Sequence, residues 1–566
     1  TKTFTRIIPV DKYNEKERIS SPIGVNTHAW ANWKLLARFG IHWARDYSWQ
    51  WVGKGNKGHL VNGENFVERI KNANDSGITT LPCVQKTFVT PDKRKWIEDA
   101  DEIQSSFKKL SEMFPNIPYF EIGNEEESAF PEHNHQPDNY SNFIKNAAIG
   151  LNLAGNCSKI ILSGDCSPYL EVIKEVLEKC SDSFFAINYH SYTGTIPPEI
   201  AMGDVNVGGD KRLEFMYELD KFKRINNLAL KYEKEAWLTE TGWDVTYGPA
   251  VGEKLQAVYL PRMYLLSRMY GVSKIFWYFD TDQQGKQKFS SCGLIDVKGD
   301  VRPSAATLAA LSKFTAFAKF AGTVYLENND IWCLLWEDIK GYKLATIWSV
   351  NNNHHLKSGE LKNLQKIFDI FGNETNDATI SPEIKYFLFN SFPDSWIAQS
   401  KISLETHRAI TLFPGTSTEI IFSDSNQNIE FGFENLPDSI TASDWQKNEN
   451  KTVCKLSATK SAKSHISDIT IFAKSADFVK KWALKVKIMP LINEKSEPYE
   501  NGKMTKIFIK SNAQSEISAN FAILQNSGKF YPESIQLKPG TETSIEFKAS
   551  DEAQGILSAE ITTSNG

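Results

Sequence analysis

Two short strings each place a carboxylate at the end of an apolar run that reads as a buried strand: Gly123-Asn124-Glu125 in PYFEIGNEEES and Thr239-Glu240 in EAWLTETGW. Brought to one mouth, two carboxyl groups can cleave an acetal between sugars. One protonates the leaving oxygen while the other stabilises or attacks the anomeric carbon, and neither can do both at once. The 115 positions between Glu125 and Glu240 leave room for three strand-helix units, so the chemistry depends on a fold that gathers distant strand ends.

The elements that must do the gathering follow from hydrophobic period. Apolar strand-like runs at 22–28, 42–48, 78–85, 118–125, 159–165, 183–192, 236–243 and 274–280 alternate with amphipathic stretches such as 139–155, 212–234 and 254–271. This alternation predicts a parallel sheet covered by helices, and eight strands within residues 1–318 predict a closed (β/α)8 TIM barrel. An open doubly wound sheet is the alternative, but no Gly-rich phosphate loop follows the first strand. In a barrel, functional groups project from the C-terminal ends of the strands.

Past residue 318 the pattern turns to period two with Asn, Gly and Asp turns, which predicts an accessory β-sandwich over 319–424. The strand, Pro-Gly turn, strand layout of 425–566 predicts an immunoglobulin-like β domain, with two small sandwiches as the alternative.

Composition narrows the partners. With 64 basic and 69 acidic residues the net charge is -5, and no basic run is long enough for a nucleic-acid footprint or an anionic membrane surface. No apolar run reaches the roughly 18 residues of a spanning helix. The seven Cys show neither CxxC pairing nor Cys/His ligand spacing, and His133-x-His135 and His354-His355 lack acidic or Cys partners at ligand spacing, so no metal and no cofactor are implied. Nine of the fifteen Trp fall before residue 280, where flat indole faces suit sugar rings or core packing equally. The chain begins at Thr1, as a removed signal peptide or an engineered start would each produce.

The expected strand ends are polar: Arg45 on the second, Asn124 and Glu125 on the fourth, His190 and Tyr192 on the sixth, Glu240 on the seventh, with Trp277 on the eighth. His190 and Tyr192, two apart on a strand, share one face. Taken in order, Asn124-Glu125, LTETGW, RDYSWQWV, NYHSY and GLIDVKGDVRPSAATLAAL resemble the clan A glycoside hydrolases, most like families 39 and 5, over about residues 20 to 318. The resemblance implies a retaining glycosidase on a TIM barrel, with Glu125 as acid/base and Glu240 as nucleophile. Glu126 and Glu127 stand where many clan members have Pro, and Glu126 is the alternative acid.

On this reading Glu240 is ionised and needs donors, for which Arg45 and Tyr192 are the candidates. Glu125 begins protonated and becomes the base once the glycosyl-enzyme has removed the charge of Glu240. Asn124 is the expected donor to the hydroxyl beside the reacting carbon. The resemblance makes Trp277 the floor of the sugar subsite nearest the cleaved bond. Trp49, Trp51, Trp243 and His28 stand where further subsites would lie, with structural packing as the alternative. The expected substrate is a β-linked oligo- or polysaccharide, with a lean to endo action from the Trp-rich mouth and a location outside the cytoplasm from the resemblance. The rival functions are a non-catalytic carbohydrate-binding protein on a degenerate barrel and a transglycosylase.

Overall fold

Eight parallel strands alternate with helices up to Trp277 and close on themselves. The computed structural model describes residues 6–11, 13–27, 31–54, 57–61, 66–86, 96–125, 137–156, 158–164, 170–207, 212–338, 341–424, 428–489, 492–499, 504–511, 517–525, 528–530, 535–538, 542–548 and 558–563. The barrel strands are β1 (Ile23–Thr27), β2 (Trp43–Lys54), β3 (Thr79–Lys86) and β4 (Tyr119–Ile122), followed by β5 (Lys159–Leu162), β6 (Ala186–Ser191), β7 (Glu235–Thr241) and β8 (Lys274–Trp277). Each pairs in parallel with the next, and β8 pairs back onto β1 through Ile23 opposite Ile275. Every expected strand range overlaps one of these, and the closure sets aside the open sheet.

Alternation along the strands builds the barrel interior in layers. Trp43, Leu81, Ile161, Ala186, Trp237 and Phe276 form a buried apolar layer, with Tyr119 packed against it. Gly24 completes it by having no side chain, since a Cβ there would lie 2.5 Å from the Phe276 ring. The residues between, such as Ala44, Phe120, Ile187, Leu238 and Ile275, point outward into the main core beneath the helices. Helix Ala100–Met113 shows the local logic: Asp99 caps it by accepting from the Glu102 N–H at 3.1 Å, and Ile103, Phe107 and Leu110 recur at three- and four-residue spacing to form its buried face. One expected helix begins late. Residues 212–217 form a strand paired with Met202–Val207, and the helix runs over Glu218–Lys231.

The described chain divides into two compact units. In the first, comprising 1–201 and 217–401, the barrel is joined by a six-stranded antiparallel sheet ordered Lys319–Val324, Ile331–Glu337, Lys343–Ser349, Lys385–Phe389, Leu364–Phe368 and Glu374–Thr375. Period two divides its side chains between two cores. Leu334, Trp336, Leu344, Trp348 and Tyr386 enter the barrel's own hydrophobic cluster, and Cys333, Leu335, Ala345, Ile347 and Phe387 face the other way. That second face is covered by Trp396, on the helix Asp394–Ser400, and by Ile380 of the ribbon pairing His354–His355 with Thr379–Ile380, rather than by a full second sheet.

The second unit comprises 202–216 and 402–566, so its boundary falls at Ile402 rather than at 424. Its core draws Ile420, Phe422 and Leu456 from one sheet and Ile410, Leu412, Ile469, Leu484 and Val486 from another, a sandwich that spans position 424. Further sheets follow, one of Ile492–Tyr499, Met504–Ser511 and Glu542–Lys548, the other centred on Ile517–Gln525. Among the described residues no helix is long and apolar enough to cross a membrane.

Candidate active site

One inward position beyond the apolar layer, the barrel interior turns polar. Asn26, Arg45, Cys83, Glu121, Asn188 and Thr239 occupy it, all buried. Arg45, fully buried on β2, is the hub. Its Nε and Nη2 grip Glu121 in a bidentate pair at 2.6 and 3.0 Å. Nη1 donates to Asn26 Oδ1 at 2.8 Å and to Glu240 Oε1 at 2.7 Å, and Nη2 also reaches Asn124 Oδ1 at 2.7 Å. Asn188 Nδ2 donates to Glu121 at 2.7 Å, and Thr239 Oγ1 donates to Asn188 Oδ1 at 2.8 Å. Burial opposes the charge of Arg45, but the carboxylates of Glu121 and Glu240 hold it protonated well above the ordinary guanidinium range. Planar, permanently charged and able to fork, an arginine suits this place between two carboxylates better than a lysine would.

Glu240 reaches the mouth through an irregularity. Leu238 is opposite Tyr189 and Glu240 opposite His190, so two residues of β7 face one of β6 and Thr239 is the extra one. Without that bulge strict alternation would send Glu240 outward; with it, consecutive side chains Thr239 and Glu240 both serve the interior. Both oxygens of Glu240 are engaged, Oε1 by Arg45 and Oε2 by the Tyr192 hydroxyl at 2.6 Å. Burial and the neighbouring Glu240 charge push the Tyr192 phenol well above its usual range, so it remains a donor.

Glu125 is aimed differently. After β4 the chain turns through Gly123 (φ +92°), and Glu125 itself holds φ +50°, a left-handed conformation uncommon for a non-glycine residue. Its N–H donates to Gly164 O at 2.8 Å, and its carboxylate meets His190 Nδ1 at 2.8 Å. The His190 Nε2 is 3.1 Å from Thr239 Oγ1. Gly164 makes this possible, because a Cβ there would sit 2.2 Å from His190 Nε2. Burial disfavours the charged imidazole, yet the Glu240 carboxylate and the hydrogen bond to Glu125 outweigh it and raise the His190 pKa above its usual 6.5. The Glu125 side chain is 30% exposed against 9% for Glu240. One carboxylate thus faces the solvent side of the mouth, and the other is set among fixed donors.

Ligating atoms of Glu125, His190 and Glu240 lie within 4.8 Å of one another. A cation entering there would meet Glu240 oxygens already accepting from Arg45 and Tyr192, with a fixed positive charge alongside. The donor set fits proton transfer and nucleophilic attack better than metal binding.

The structure brings Arg45, Asn124, Glu125, His190, Tyr192 and Glu240 together, with a correction for Arg45: fully buried, it acts on Glu240 and Asn124 and offers no surface to a ligand. Trp277 and Trp243 are corrected as well. Both are fully buried in the main core, their rings 5.9 Å apart, with Trp277 Nε1 donating to Cys292 O at 2.9 Å. Trp277 ends β8 at an outward position, and the inward one belongs to Tyr278, half-buried and edge-on to Tyr192 at 6.3 Å. Phe289 joins this pair at 4.6 Å from Tyr192. Trp49 is also core, stacked on Phe66 at 4.4 Å. His28, Glu126, Glu127 and the side chain of Trp51 lie outside the described residues. Sequence reasoning missed Glu121, Asn26 and Asn188. Their signal was a polar residue at an inward-facing position of an otherwise apolar strand.

No family model matches the chain, and no curated protein does either. Solved structures do. A family 39 glycoside hydrolase from the gut symbiont Bacteroides cellulosilyticus WH2 superposes with a TM-score of 0.54 at 17% identity, over 68% of this chain and 82% of its own. More distantly, the catalytic domain of a family 30 xylanase C from Talaromyces cellulolyticus gives 0.44 at 12% identity over 66% and 98%. A glucosidase from Croceicoccus marinus gives 0.43 at 9% over 96% and 94%. The class defined here is a (β/α)8 barrel followed by β-rich units, with paired carboxylates at the C-terminal mouth. The first of these likenesses shows the (β/α)8 barrel fold.

Proposed function

We propose that this chain is a retaining β-glycosidase working by double displacement, with Glu240 as nucleophile and Glu125 as acid/base. The observation that carries the reading is the pairing of unlike carboxylates in one mouth. One oxygen of each lies within 4.8 Å of one of the other, close enough for the two carboxyl groups to act on a single glycosidic bond. Glu240, oriented by hydrogen bonds from Arg45 and the Tyr192 hydroxyl, attacks the anomeric carbon as the glycosidic bond breaks and Glu125 passes its proton to the leaving oxygen. Water then adds to that carbon while Glu125 takes its proton and the Glu240 ester bond breaks. His190, hydrogen-bonded to Glu125 and 3.6 Å from Glu240, connects the two charges as they change. Because Asn124 Oδ1 accepts from Arg45, its amide hydrogens are left for the hydroxyl beside the reacting carbon.

The substrate on this reading is a β-linked oligo- or polysaccharide met outside the cytoplasm. The lean to endo action loses its aromatic support, because Trp49, Trp243 and Trp277 are core residues. Tyr278 and Phe289 take their place as rings at the mouth.

The test uses a panel of 4-nitrophenyl β-glycosides, with the product anomer followed by proton NMR. Glu240→Gln is expected to abolish turnover while sugar binding stays measurable, and Glu125→Gln to lower turnover by about 10²- to 10⁴-fold. The first-formed product should keep the β configuration. Wild-type rates in Glu240→Gln, or an α product, would overturn the assignment, and transfer products at high acceptor concentration would redirect it to a transglycosylase.

A further inference from the structure

Four residues past Glu240, Asp244 is buried and directed at a different loop, the one that follows β8. Its Oδ2 accepts from Phe289 N at 2.7 Å, and its Oδ1 from Ser291 N at 3.0 Å and Ser291 Oγ at 2.8 Å. The tie is returned: Ser291 O accepts from Val245 N at 3.0 Å, and Ser291 Oγ accepts from Thr246 N and Tyr247 N, both at 3.1 Å. Between these anchors Phe289 holds φ +70°, a conformation that a bulky side chain adopts only where its surroundings enforce it. Bonds from backbone N–H groups to a carboxylate are charge-assisted and strong enough to do so. The consequence is a ring seated 4.6 Å from that of Tyr192, closer than Tyr278 at 6.3 Å. Tyr192 in turn donates to Glu240 at 2.6 Å.

We propose that Asp244 is a positioning residue for the nucleophile: by clamping the loop after β8 it seats Phe289 against Tyr192 and so keeps the Tyr192 hydroxyl on Glu240. The proposal rests on the glycosidase reading, since it assigns the latch a role in the step that Glu240 performs. Charge at residue 244 is essential to it, because an amide would present an N–H₂ group to one of the donors it now accepts from.

A double-mutant cycle with the 4-nitrophenyl β-glycoside that the full-length wild type turns over best tests it. In the wild-type background, Asp244→Asn and Phe289→Ala should each lower kcat by about tenfold with KM little changed. In a Tyr192→Phe background, where the hydroxyl is already gone, each should cost less than about twofold more. Equal losses in both backgrounds would mean a merely structural role and would overturn the proposal. If Asp244→Asn does not fold, Phe289→Ala, which alters a half-buried ring, carries the comparison, with thermal unfolding as the check on folding. Wild-type turnover in Glu240→Gln would remove the glycosidase reading itself. An inactive Glu240→Gln with equal losses in both backgrounds would remove only the latch.

Discussion

The apolar and polar layers of the barrel are two residues apart on the same strands. Trp43 is followed inward by Arg45, Leu81 by Cys83, Tyr119 by Glu121, Ala186 by Asn188 and Trp237 by Thr239. The lower layer is held by volume: any well-shaped apolar set would serve, and a loss is paid in cavity. The upper layer is held by mutual satisfaction, each buried polar group depending on a named partner, so that removing one strands another. The difference teaches that the barrel's interior is not one core with a site on top but a packed plug beneath a wired platform.

The sharpest way to break this contrast is Arg45→Leu, which leaves Glu121 and Glu240 buried without their cation. We expect a loss of about 3–5 kcal/mol in urea unfolding together with near-complete loss of aryl glycoside turnover. Leu81→Ala, in the plug, should cost about 2–5 kcal/mol in the same measurement while turnover per folded molecule is kept. Should Arg45→Leu prove both milder and more active than Leu81→Ala, the distinction between the layers fails. Gly164→Ala pushes a methyl group to within 2.2 Å of His190 Nε2 and should destabilise by about 1–3 kcal/mol, with kcat falling more than KM rises.

The smallest effect is a pH dependence. Because folding raises the His190 pKa above 6.5, its contribution to stability is fully present below that value and fades as pH rises through the folded pKa. The difference in melting temperature between wild type and His190→Asn should therefore shrink from pH 5.5 to pH 8.5. A difference that widens over that range would mean that the imidazole is not held in its charged form.

Much of the barrel was legible because burial on both faces leaves long apolar runs, and each run marked its strand. The placement of Glu125, Glu240, His190 and Tyr192 was legible because each sits at or just past the end of an apolar run, and the structure brings their side chains together. Other features were not. A bulge at Thr239 is invisible to simple alternation, so the inward aim of Glu240 could be inferred from resemblance but not from period. Trp277 misled for the converse reason: in a period of two, an offset of one residue exchanges the core for the mouth, and the mouth went to Tyr278. Glu121 was hidden by its setting, since a single acid inside Tyr119–Ile122 reads as an exception until Arg45 is placed beside it. The boundary at 402 was hidden because strands on both sides of position 424 carry the same alternating pattern.

The sheet that shares the barrel's core decides where a shortened catalytic fragment may end. Truncation at residue 318 would strip Phe314 of Tyr386, which stacks on it at 4.7 Å, and bare the Arg268 guanidinium now lying over Trp336. It would also leave the fully buried Glu199 without the Trp348 indole N–H at 2.6 Å, and Arg262 without the carbonyls of Ser349 and Pro382. A fragment that keeps the barrel should therefore be cut no earlier than Lys401, so that the accessory sheet is retained.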